Sequence, residues 1–370
     1  MDPKRHKRII ISGGGTGGHV FPAIAIADAL RAAEPGIEIL FVGAEGRMEM
    51  EKVPLSGYKI VGLPVAGFDR KNLLRNLKVI ASLVKSLRMA KKILNEFKPD
   101  VAVGVGGFAS GPLLKQACRM GIPALIQEQN SYAGITNKLL SARASVICVA
   151  YDGMEKYFPA EKIIKTGNPV RNNFDNLPQI RKEALGYFGI DGSSQAVLIL
   201  GGSLGAGSIN KCFLNNIEKM GSSGYKWIWQ TGRHYYDNVS GQVHHPEEKG
   251  IILRAFIDRM DYAYSVADVV VTRSGAGTIS ELCLAAKPSI LVPSPNVAED
   301  HQTKNAMALA GKNAALVLSD KDAEEQLLPE ILNLLADRDR QKILSDNISK
   351  MAEPYADIKI ANEVLKLAGK

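Results

Sequence analysis

The sequence has few cysteines and no long hydrophobic run. Its 4 cysteines are spread over 370 residues without a Cys-x-x-Cys pair. This distribution argues against a disulfide framework or a zinc site and favours a reducing compartment. No stretch approaches the roughly 20 apolar residues that a membrane-spanning helix needs, and the apolar run after the basic N-terminus is too short for a signal peptide. We therefore expect the protein to be made and kept in the cytosol.

A uniformly basic surface is also missing. The net charge is +8, but residues 1–8 carry +3 and residues 69–92 carry +7, so the rest of the chain sums to −2. Such local basicity argues against a nucleic-acid partner. The second basic block has helical periodicity, with apolar and basic side chains on opposite faces. The 70–88 region is therefore either an ordinary surface helix or a contact with an anionic membrane surface, made at residues 70–75.

Strand and helix patterns alternate along the chain, twice over. Short apolar runs predict buried parallel strands at 8–12, 37–42, 101–105, 124–127, 145–149 and 163–166, and again at 196–200, 226–230, 251–253, 268–272, 289–292 and 315–318. Helical patterns occur at 20–33, 77–96 and 112–119, and three more follow residue 322. We predict an α/β protein of two Rossmann-like doubly wound domains facing a cleft, formed by residues 1–168 and 169–355, with a helix at 356–370 that crosses back to the first domain.

A glycine-rich turn follows the first predicted strand and opens the first predicted helix. Its glycines permit positive φ and close ligand approach, and the helix N-terminus behind them offers unpaired N–H groups to an anion. Gly13, Gly15 and Gly18 match G-x-G-x-x-G, which fits a dinucleotide-binding dehydrogenase, a nucleotide-sugar or phosphate enzyme, or a structural turn. His19 ends the turn and is either a proton acceptor or a helix-start residue bonded to backbone.

Two further glycine turns follow predicted strands of the second half. Residues 201–206 could hold a diphosphate with backbone N–H groups and Ser203, or form a plain strand-to-helix turn. Residues 273–281 end in Glu281, which could accept hydrogen bonds from ribose hydroxyls. The spacing Thr278-x-x-Glu281 is also that of a capping box, so a purely structural Glu281 is equally open.

Other polar clusters lie on predicted loops. Residues 104–112 form a second candidate anion turn in the first half, and residues 127–130 place a carboxylate and amides at the end of the next strand. Those polar residues could instead be an ordinary strand terminus. Gln302 and Asn305 could contact sugar hydroxyls, whereas His244 and His245 lie in a polar loop and are interpreted as solvated rather than metal-binding.

Taken together and in order, these motifs resemble the bacterial N-acetylglucosaminyltransferase family that makes lipid II. The residues that carry the resemblance are Gly-Gly-Thr-Gly-Gly-His at 14–19, Gly-Gly-Phe-Ala-Ser-Gly-Pro at 106–112, Glu-Gln-Asn at 128–130, Gly-Asn-Pro-Val-Arg at 167–171, Gly-Gly-Ser-Leu-Gly-Ala at 201–206 and Arg-Ser-Gly-Ala-Gly-Thr-Ile-Ser-Glu at 273–281. The resemblance spans nearly the whole chain. It implies the two-domain glycosyltransferase B fold and inverting transfer of GlcNAc from UDP-GlcNAc to the muramoyl 4-hydroxyl of undecaprenyl-diphospho-muramoylpentapeptide (lipid I), by a peripheral enzyme at the cytoplasmic face of the bacterial plasma membrane.

The resemblance also implies roles for individual residues, without a metal ion or cofactor. His19 and Glu128 are the catalytic candidates, with His19 as general base or as a group that positions the acceptor hydroxyl. Contacts with UDP-GlcNAc are implied for Thr16, Gly17, Gly18, Asn130, Arg171, Ser203, Ile257, Ala276, Gly277, Thr278, Glu281, Gln302 and Asn305. The acceptor diphosphate is implied at Gly14, Gly15, Gly106, Gly107 and Ser110.

The chain departs from this family at two positions. Phe108 stands where relatives have an aromatic hydroxyl, and Gln127 stands where they have a histidine, so neither is assigned acid or base work. A UDP-GlcNAc epimerase or a non-catalytic UDP-sugar-binding protein of the same fold is the alternative, and a dehydrogenase is a more distant one.

Overall fold

The computed structural model describes residues 6–65, 73–170, 174, 176–202 and 205–369. The chain forms two compact units. Unit 1 consists of Met1–Val170 and Tyr355–Lys370, and unit 2 of Arg171–Pro354. Arg171 and Ser203, both predicted site residues, lie outside the described residues. The same holds for residues 70–72 and for the side chains of Leu73, Leu74 and Arg75, which the predicted membrane contact involves.

Unit 1 is built on a seven-stranded parallel sheet with the order β3-β2-β1-β4-β5-β6-β7. The strands are β1 (Arg8–Gly13), β2 (Glu38–Ala44), β3 (Lys59–Leu63), β4 (Val101–Gly106), β5 (Ala124–Glu128), β6 (Val146–Val149) and β7 (Ile163–Lys165). The helices are α1 (Gly17–Ala33), α2 (Glu49–Leu55), α3 (Leu73–Phe97), α4 (Ser110–Arg119) and α5 (Ile135–Ser141), followed by two short 3-10 turns at Met154–Lys156 and Ala160–Lys162.

Both faces of this sheet are covered, which explains why its central strands are apolar throughout. Ile9 and Ile11 of β1 pack in a cluster with α1, whereas Ile10 between them packs in a second cluster with α3 and α4. Successive side chains of a strand point to opposite faces, so a strand buried on both sides has no polar alternation. In the part of the chain that the structure describes, no helix combines the length and apolarity needed to cross a membrane.

Unit 2 repeats the design with a six-stranded parallel sheet, in the order β10-β9-β8-β11-β12-β13. The strands are β8 (Ala196–Leu200), β9 (Lys226–Gln230), β10 (Ile251–Arg254), β11 (Val269–Thr272), β12 (Ser289–Leu291) and β13 (Leu316–Val317). The helices are α6 (Leu177–Phe188), α7 (Gly207–Leu214), α8 (Ile217–Ser222), α9 (Tyr236–Ser240), α10 (Met260–Val266), α11 (Ala276–Ala285), α12 (His301–Ala310), α13 (Ala323–Ala336) and α14 (Arg338–Ser349), with a 3-10 turn at Ala298–Asp300.

The core of unit 2 contains two tryptophans of β9 that are fully buried on one face of the sheet. Their indole N–H groups are satisfied: Trp229 donates to Asn210 Oδ1 at 3.0 Å and Trp227 to the Met220 carbonyl at 3.2 Å. Burying the rings without these partners would leave two unpaired donors in an apolar core.

The last helix, α15 (Ala356–Ala368), belongs to unit 1. Its buried stripe of Ile360, Ala361, Val364 and Leu367 joins the cluster that covers Ile9 and Ile11. The three helical patterns predicted after residue 322 are confirmed as α13, α14 and α15. The prediction of two parallel, doubly wound α/β domains is also confirmed, because each sheet extends on both sides of its first strand.

Candidate functional site

The two glycine turns of unit 1 lie side by side because β1 and β4 are neighbours in the sheet. The turn after β1 contains Gly14 and Gly15, and the second turn is formed by Gly106, the last residue of β4, and Gly107. Gly14 N–H donates to the Gly106 carbonyl at 3.4 Å. A Cβ on Gly107, where φ is +89°, would lie 2.3 Å from the Gly14 oxygen. The turns therefore approach so closely that a side chain at this point would not fit.

Helix α1 begins directly after the first turn and presents an N-terminus suited to an anion. Thr16 is its N-cap, no side chain caps it, and no acidic residue occupies its first turn. The first intrahelical hydrogen bonds run from His19 N–H and Val20 N–H to the Thr16 carbonyl. The N–H groups of Gly17 and Gly18 precede these bonds, so they carry the partial positive charge of the helix end.

His19 is half-buried and holds a defined orientation against both turns. Its Nδ1 lies 3.1 Å from the Gly14 carbonyl oxygen and 3.4 Å from Thr16 Oγ1. A Cβ on Gly106 would come within 2.7 Å of His19 Nε2. Because a carbonyl oxygen only accepts, the shorter contact requires the proton on Nδ1, and in the neutral ring the lone pair is then on Nε2. His19 is thus bonded to backbone, and this same bond gives it the tautomer of a base at Nε2.

Glu128 ends β5 and is only 2% exposed. Its Oε1 accepts from the backbone N–H of Asn130 (3.1 Å) and from Asn130 Nδ2 (3.3 Å), and its Oε2 accepts from Gly134 N–H (3.0 Å) and Asn137 Nδ2 (2.8 Å). Burial raises the pKa of the Glu128 carboxyl, and the donors from Gly134, Asn137 and Asn130 act against that rise. The carboxyl therefore shapes the loop that carries Asn130.

Sequence reasoning missed Glu49, whose side chain reaches into the first glycine turn. Glu49 is completely buried and accepts the Gly15 N–H at 2.8 Å and the Ala44 N–H at 2.9 Å. A signal was present in the sequence, because an isolated glycine inside a strand indicates close approach of another group. A Cβ on Gly43 of β2 would lie 2.5 Å from Glu49 Cγ.

Ser110, predicted at the acceptor diphosphate, begins α4 beside the second glycine turn. It is completely buried, and its hydroxyl has no hydrogen-bond partner. A Cβ on Gly104 would lie 2.6 Å from that hydroxyl oxygen. The Ser110 side chain therefore packs against strand β4 and does not point toward solvent.

In unit 2, the turn after β8 is shaped by glycines and supported by Gln230. Gly202 and Gly205 have φ of +78° and +90°. Gln230, at the end of β9, donates through Nε2 to the Gly202 carbonyl (3.3 Å) and accepts the Ile257 N–H at Oε1 (2.9 Å). One buried amide thus connects two predicted nucleotide-binding segments. Sequence reasoning missed Gln230, although it has the same signal as Gln127, namely a polar residue at the end of a predicted apolar strand.

Helix α11 places the second motif of unit 2. Its N-cap is Gly275 and it begins at Ala276, so Thr278 is its third residue and the capping-box alternative for Glu281 is wrong. No acidic residue lies in the first turn, and a Cβ on Gly277 would meet open space. Ala276, Gly277 and Thr278 therefore form a helix N-terminus that an anion could approach.

Glu281 follows one turn later and accepts a hydrogen bond from Tyr264 Oη at 3.0 Å. Burial, and then the Glu281 carboxylate, raise the pKa of Tyr264 well above its ordinary value, so the hydroxyl stays protonated and donates. Tyr264 itself is fixed by an edge-on contact with Phe174. The carboxylate of Glu281 is therefore held in place by a buried ring.

The predicted sugar-contacting residues Gln302 and Asn305 lie on α12. Gln302 Oε1 accepts the Ser294 N–H at 2.8 Å, and the Gln302 carbonyl accepts from Ser274 Oγ at 2.9 Å. Asn305 is completely buried, with Nδ2 3.5 Å from the Ser274 carbonyl. The two bonds to Ser274 join α12 to the strand-to-helix turn before α11, and the bond from Ser294 joins α12 to the segment after β12. Among the described residues, no group of three or more His, Cys, Asp or Glu side chains could hold a metal ion.

Comparison with known proteins decides the family. The N-terminal domain of glycosyltransferase family 28 matches residues 9–149, and the C-terminal domain of the same family matches residues 196–359. The chain belongs to glycosyltransferase family 28. The resemblance drawn from the motifs is confirmed by two full-length relatives, both named UDP-N-acetylglucosamine--N-acetylmuramyl-(pentapeptide) pyrophosphoryl-undecaprenol N-acetylglucosamine transferase. The protein of Parabacteroides distasonis is 56% identical over 99% of this chain and 100% of its own length, and that of Porphyromonas gingivalis is 55% identical over 97% and 95%.

Solved structures agree with this assignment. The family 28 chain is similar to MurG of Acinetobacter baumannii, with 28% identity, a TM-score of 0.79, and coverage of 97% of this chain and 99% of that one. The calicheamicin glycosyltransferase CalG4 is 15% identical with a TM-score of 0.71, covering 99% of both chains. A UDP-N-acetylglucosamine 2-epimerase from Listeria monocytogenes is 14% identical with a TM-score of 0.63. At these low identities the last two show a shared fold alone.

Proposed function

We propose that this family 28 glycosyltransferase transfers N-acetylglucosamine from UDP-N-acetylglucosamine to the muramoyl 4-hydroxyl of undecaprenyl-diphospho-N-acetylmuramoyl-pentapeptide, the lipid I to lipid II step of peptidoglycan synthesis. The observation that carries the proposal is the 56% identity, over the full length, with a transferase named for this sugar donor and this acceptor. The epimerase alternative has only a likeness of fold behind it. A hexosyl transfer of this kind also suits two units that each carry a glycine turn at a helix N-terminus.

In the proposed reaction, His19 Nε2 accepts the proton of the acceptor hydroxyl as that oxygen attacks the anomeric carbon. A single displacement inverts the anomeric configuration and needs no covalent sugar intermediate. Thr16, Gly17, Gly18 and Asn130 contact the sugar. The Gly14 carbonyl supports the role of His19 as the base, because it holds the His19 ring in the tautomer that carries its proton on Nδ1. Glu128 is assigned a positioning role, because its acceptor sites are already taken by the loop that carries Asn130.

The acceptor diphosphate is proposed to bind at the paired glycine turns of unit 1. The N-terminus of α1 supplies partial positive charge, and the close approach of Gly14 and Gly107 keeps side chains out of the way. The Gly15 N–H already donates to Glu49, and the Ser110 side chain is buried. Gly15 and Ser110 would therefore contribute by shaping the turns, without a hydrogen bond from these two groups to the diphosphate. Gly106 is needed for the His19 ring to lie against the turn.

Unit 2 is proposed to hold the nucleotide. The turn that contains Ser203 and the N-terminus formed by Ala276, Gly277 and Thr278 would stabilise the charge that develops on the leaving UDP through hydrogen-bond donors. The N–H of Ile257 is occupied by Gln230, so the backbone group that it offers to the base is its carbonyl oxygen. Further proposed contacts with UDP-GlcNAc are Arg171, Glu281 on the ribose, Gln302 and Asn305.

The experiment that tests this function is an assay of UDP release. Purified protein with UDP-N-acetylglucosamine and a lipid I analogue should release UDP only when both substrates are present. The disaccharide product should carry a β linkage, as inversion of the α-linked donor requires. Epimerised UDP-sugar in the absence of acceptor, or no UDP release from folded protein, would refute the proposal.

We expect Glu281→Ala to raise the KM for UDP-N-acetylglucosamine about 10- to 100-fold with a smaller change in kcat. Hydrogen bonds from ribose hydroxyls to a carboxylate contribute about 1.5–3 kcal/mol. The matched control is Tyr264→Phe, which removes only the hydroxyl that bonds to Glu281 and should leave the KM close to that of the parent protein. Equal effects of the two substitutions would show that the change in KM arises from loss of the hydrogen bond between Tyr264 and Glu281, and an unchanged KM in Glu281→Ala would show that Glu281 does not contact the donor.

Peripheral binding to the cytoplasmic face of the plasma membrane is proposed for α3. Leu83 and Val84 are 37% and 42% exposed there, and Lys85 and Arg88 are exposed nearby. Near an anionic surface, each basic residue contributes about 1 kcal/mol to the free energy of membrane binding.

The protein should co-sediment with phosphatidylglycerol vesicles more than with phosphatidylcholine vesicles. The double substitution Lys85→Gln with Arg88→Gln should weaken that binding about tenfold or more. The control pair Lys342→Gln with Lys350→Gln, in unit 2, should not. An equal loss of vesicle binding in both double variants would show that the net charge of the protein, and not the position of Lys85 and Arg88, accounts for the binding.

A further inference from the structure

Glu49 and His19 are connected through a single peptide unit. The peptide bond between Gly14 and Gly15 carries the carbonyl of Gly14 and the N–H of Gly15. The carbonyl accepts from His19 Nδ1 at 3.1 Å, and the N–H donates to Glu49 Oε2 at 2.8 Å. A buried carboxylate therefore holds one side of this peptide, and the histidine contacts the other side.

The site around Glu49 is shaped to hold its carboxylate in one place. The second oxygen, Oε1, accepts the Ala44 N–H at 2.9 Å, so the side chain bridges the ends of the neighbouring strands β1 and β2. A Cβ on Gly14 would lie 2.0 Å from Oε1. Gly14 has no positive φ, so the need for glycine at this position comes from the space that Glu49 occupies. The backbone is thus fitted to the carboxylate.

From this geometry we propose that Glu49 is a positioning residue that sets the tautomer of His19. The carboxylate fixes the orientation of the Gly14–Gly15 peptide and polarises it, which strengthens the Gly14 carbonyl as an acceptor. That carbonyl then keeps the proton on His19 Nδ1 and the lone pair on Nε2. Buried carboxylates orient histidines directly in many enzymes; here one peptide unit is interposed.

The catalytic consequence rests on the proposed function, whereas the tautomer can be measured without it. In ¹⁵N NMR spectra of histidine-labelled protein, the His19 signals are assigned by their loss in His19→Ala. The parent protein should show His19 protonated on Nδ1. In Glu49→Gln the amide offers one acceptor oxygen to two N–H groups, so the Nδ1–H population should fall.

Two further variants make the test specific. Gly14→Ala places a methyl group where the carboxylate lies, so it should reproduce the tautomer change even if Glu49→Gln fails to fold. Glu51→Gln is the matched control on the same helix, because Glu51 is exposed and, among the described residues, its ion pair is with the neighbouring Lys52 at 3.0 Å. It should change neither the spectrum nor the turnover.

In the transferase assay, Glu49→Gln should lower kcat about 10- to 100-fold, the range for a group that orients a reacting residue, while the KM for UDP-N-acetylglucosamine stays unchanged. If folded Glu49→Gln and Gly14→Ala keep the parent tautomer, or if the parent itself carries the proton on Nε2, the inference is overturned whatever the turnover. If the parent protein releases no UDP but the tautomer shifts as expected, the proposed function fails and the role of Glu49 stands.

Discussion

His19→Ala is expected to lower kcat by about 10²- to 10⁴-fold, the range for loss of a positioned general base. This corresponds to about 2.7–5.5 kcal/mol of transition-state stabilisation. The reason is geometric: the bond from Nδ1 to the Gly14 carbonyl leaves Nε2 as the basic nitrogen of a ring held beside an anion-binding helix N-terminus. The measurement is steady-state UDP release at saturating concentrations of both substrates.

The donor affinity of His19→Ala should remain near that of the parent protein, because the nucleotide is proposed to bind in unit 2. Titration with UDP-N-acetylglucosamine, followed by thermal shift, measures it. His244→Ala is the control, since His244 is exposed in a polar loop of unit 2; its activity should be unchanged. A His19→Ala protein that keeps its kcat but loses donor affinity would show that His19 binds the sugar and is not the base.

Gly205→Ala is expected to have a large effect on the stability of unit 2. Gly205 has a φ of +90°, and a Cβ there would lie 2.3 Å from the Thr231 carbonyl oxygen and 2.5 Å from the Tyr235 ring. A non-glycine residue in such a conformation costs about 1–2 kcal/mol, and overpacking costs about 1–3 kcal/mol. We expect the free energy of unfolding of unit 2 to fall by about 2–5 kcal/mol, with weaker binding of UDP, as measured by calorimetry and titration.

Gly186→Ala is the matched control for this loss. Gly186 lies inside α6 with nothing within 4 Å of an added Cβ and no positive φ. Alanine is a better helix former than glycine, so this variant should be neutral or more stable by up to about 1 kcal/mol. If Gly205→Ala were as stable as Gly186→Ala, the turn after β8 would have to be more adaptable than its close contacts indicate.

Most of the fold could be predicted from sequence because the central strands are buried on both faces. A run such as Ile9, Ile10 and Ile11 predicts a strand that is buried on both faces. The predicted strands correspond to twelve of the thirteen that the structure describes. The missed strand, β3 (Lys59–Leu63), lies at the sheet edge and is only partly buried. Helices α2 and α5 of unit 1 were also missed, since both are short and α2 contains Pro54 near its end.

The doubly wound class of each domain, the positions of the glycine turns and the family can all be inferred from the amino-acid sequence alone. These features are local: apolar runs, glycines at strand ends and motifs in a fixed order are readable without knowing what packs against them. The groups that the turns contact become visible only once the chain is folded. Glu49 is 34 residues from Gly15 along the chain, and Gln230 is 27 residues from Ile257. Their roles arise because parallel strands bring their carboxyl ends to one edge of the sheet, where backbone groups that are distant in sequence become hydrogen-bond partners.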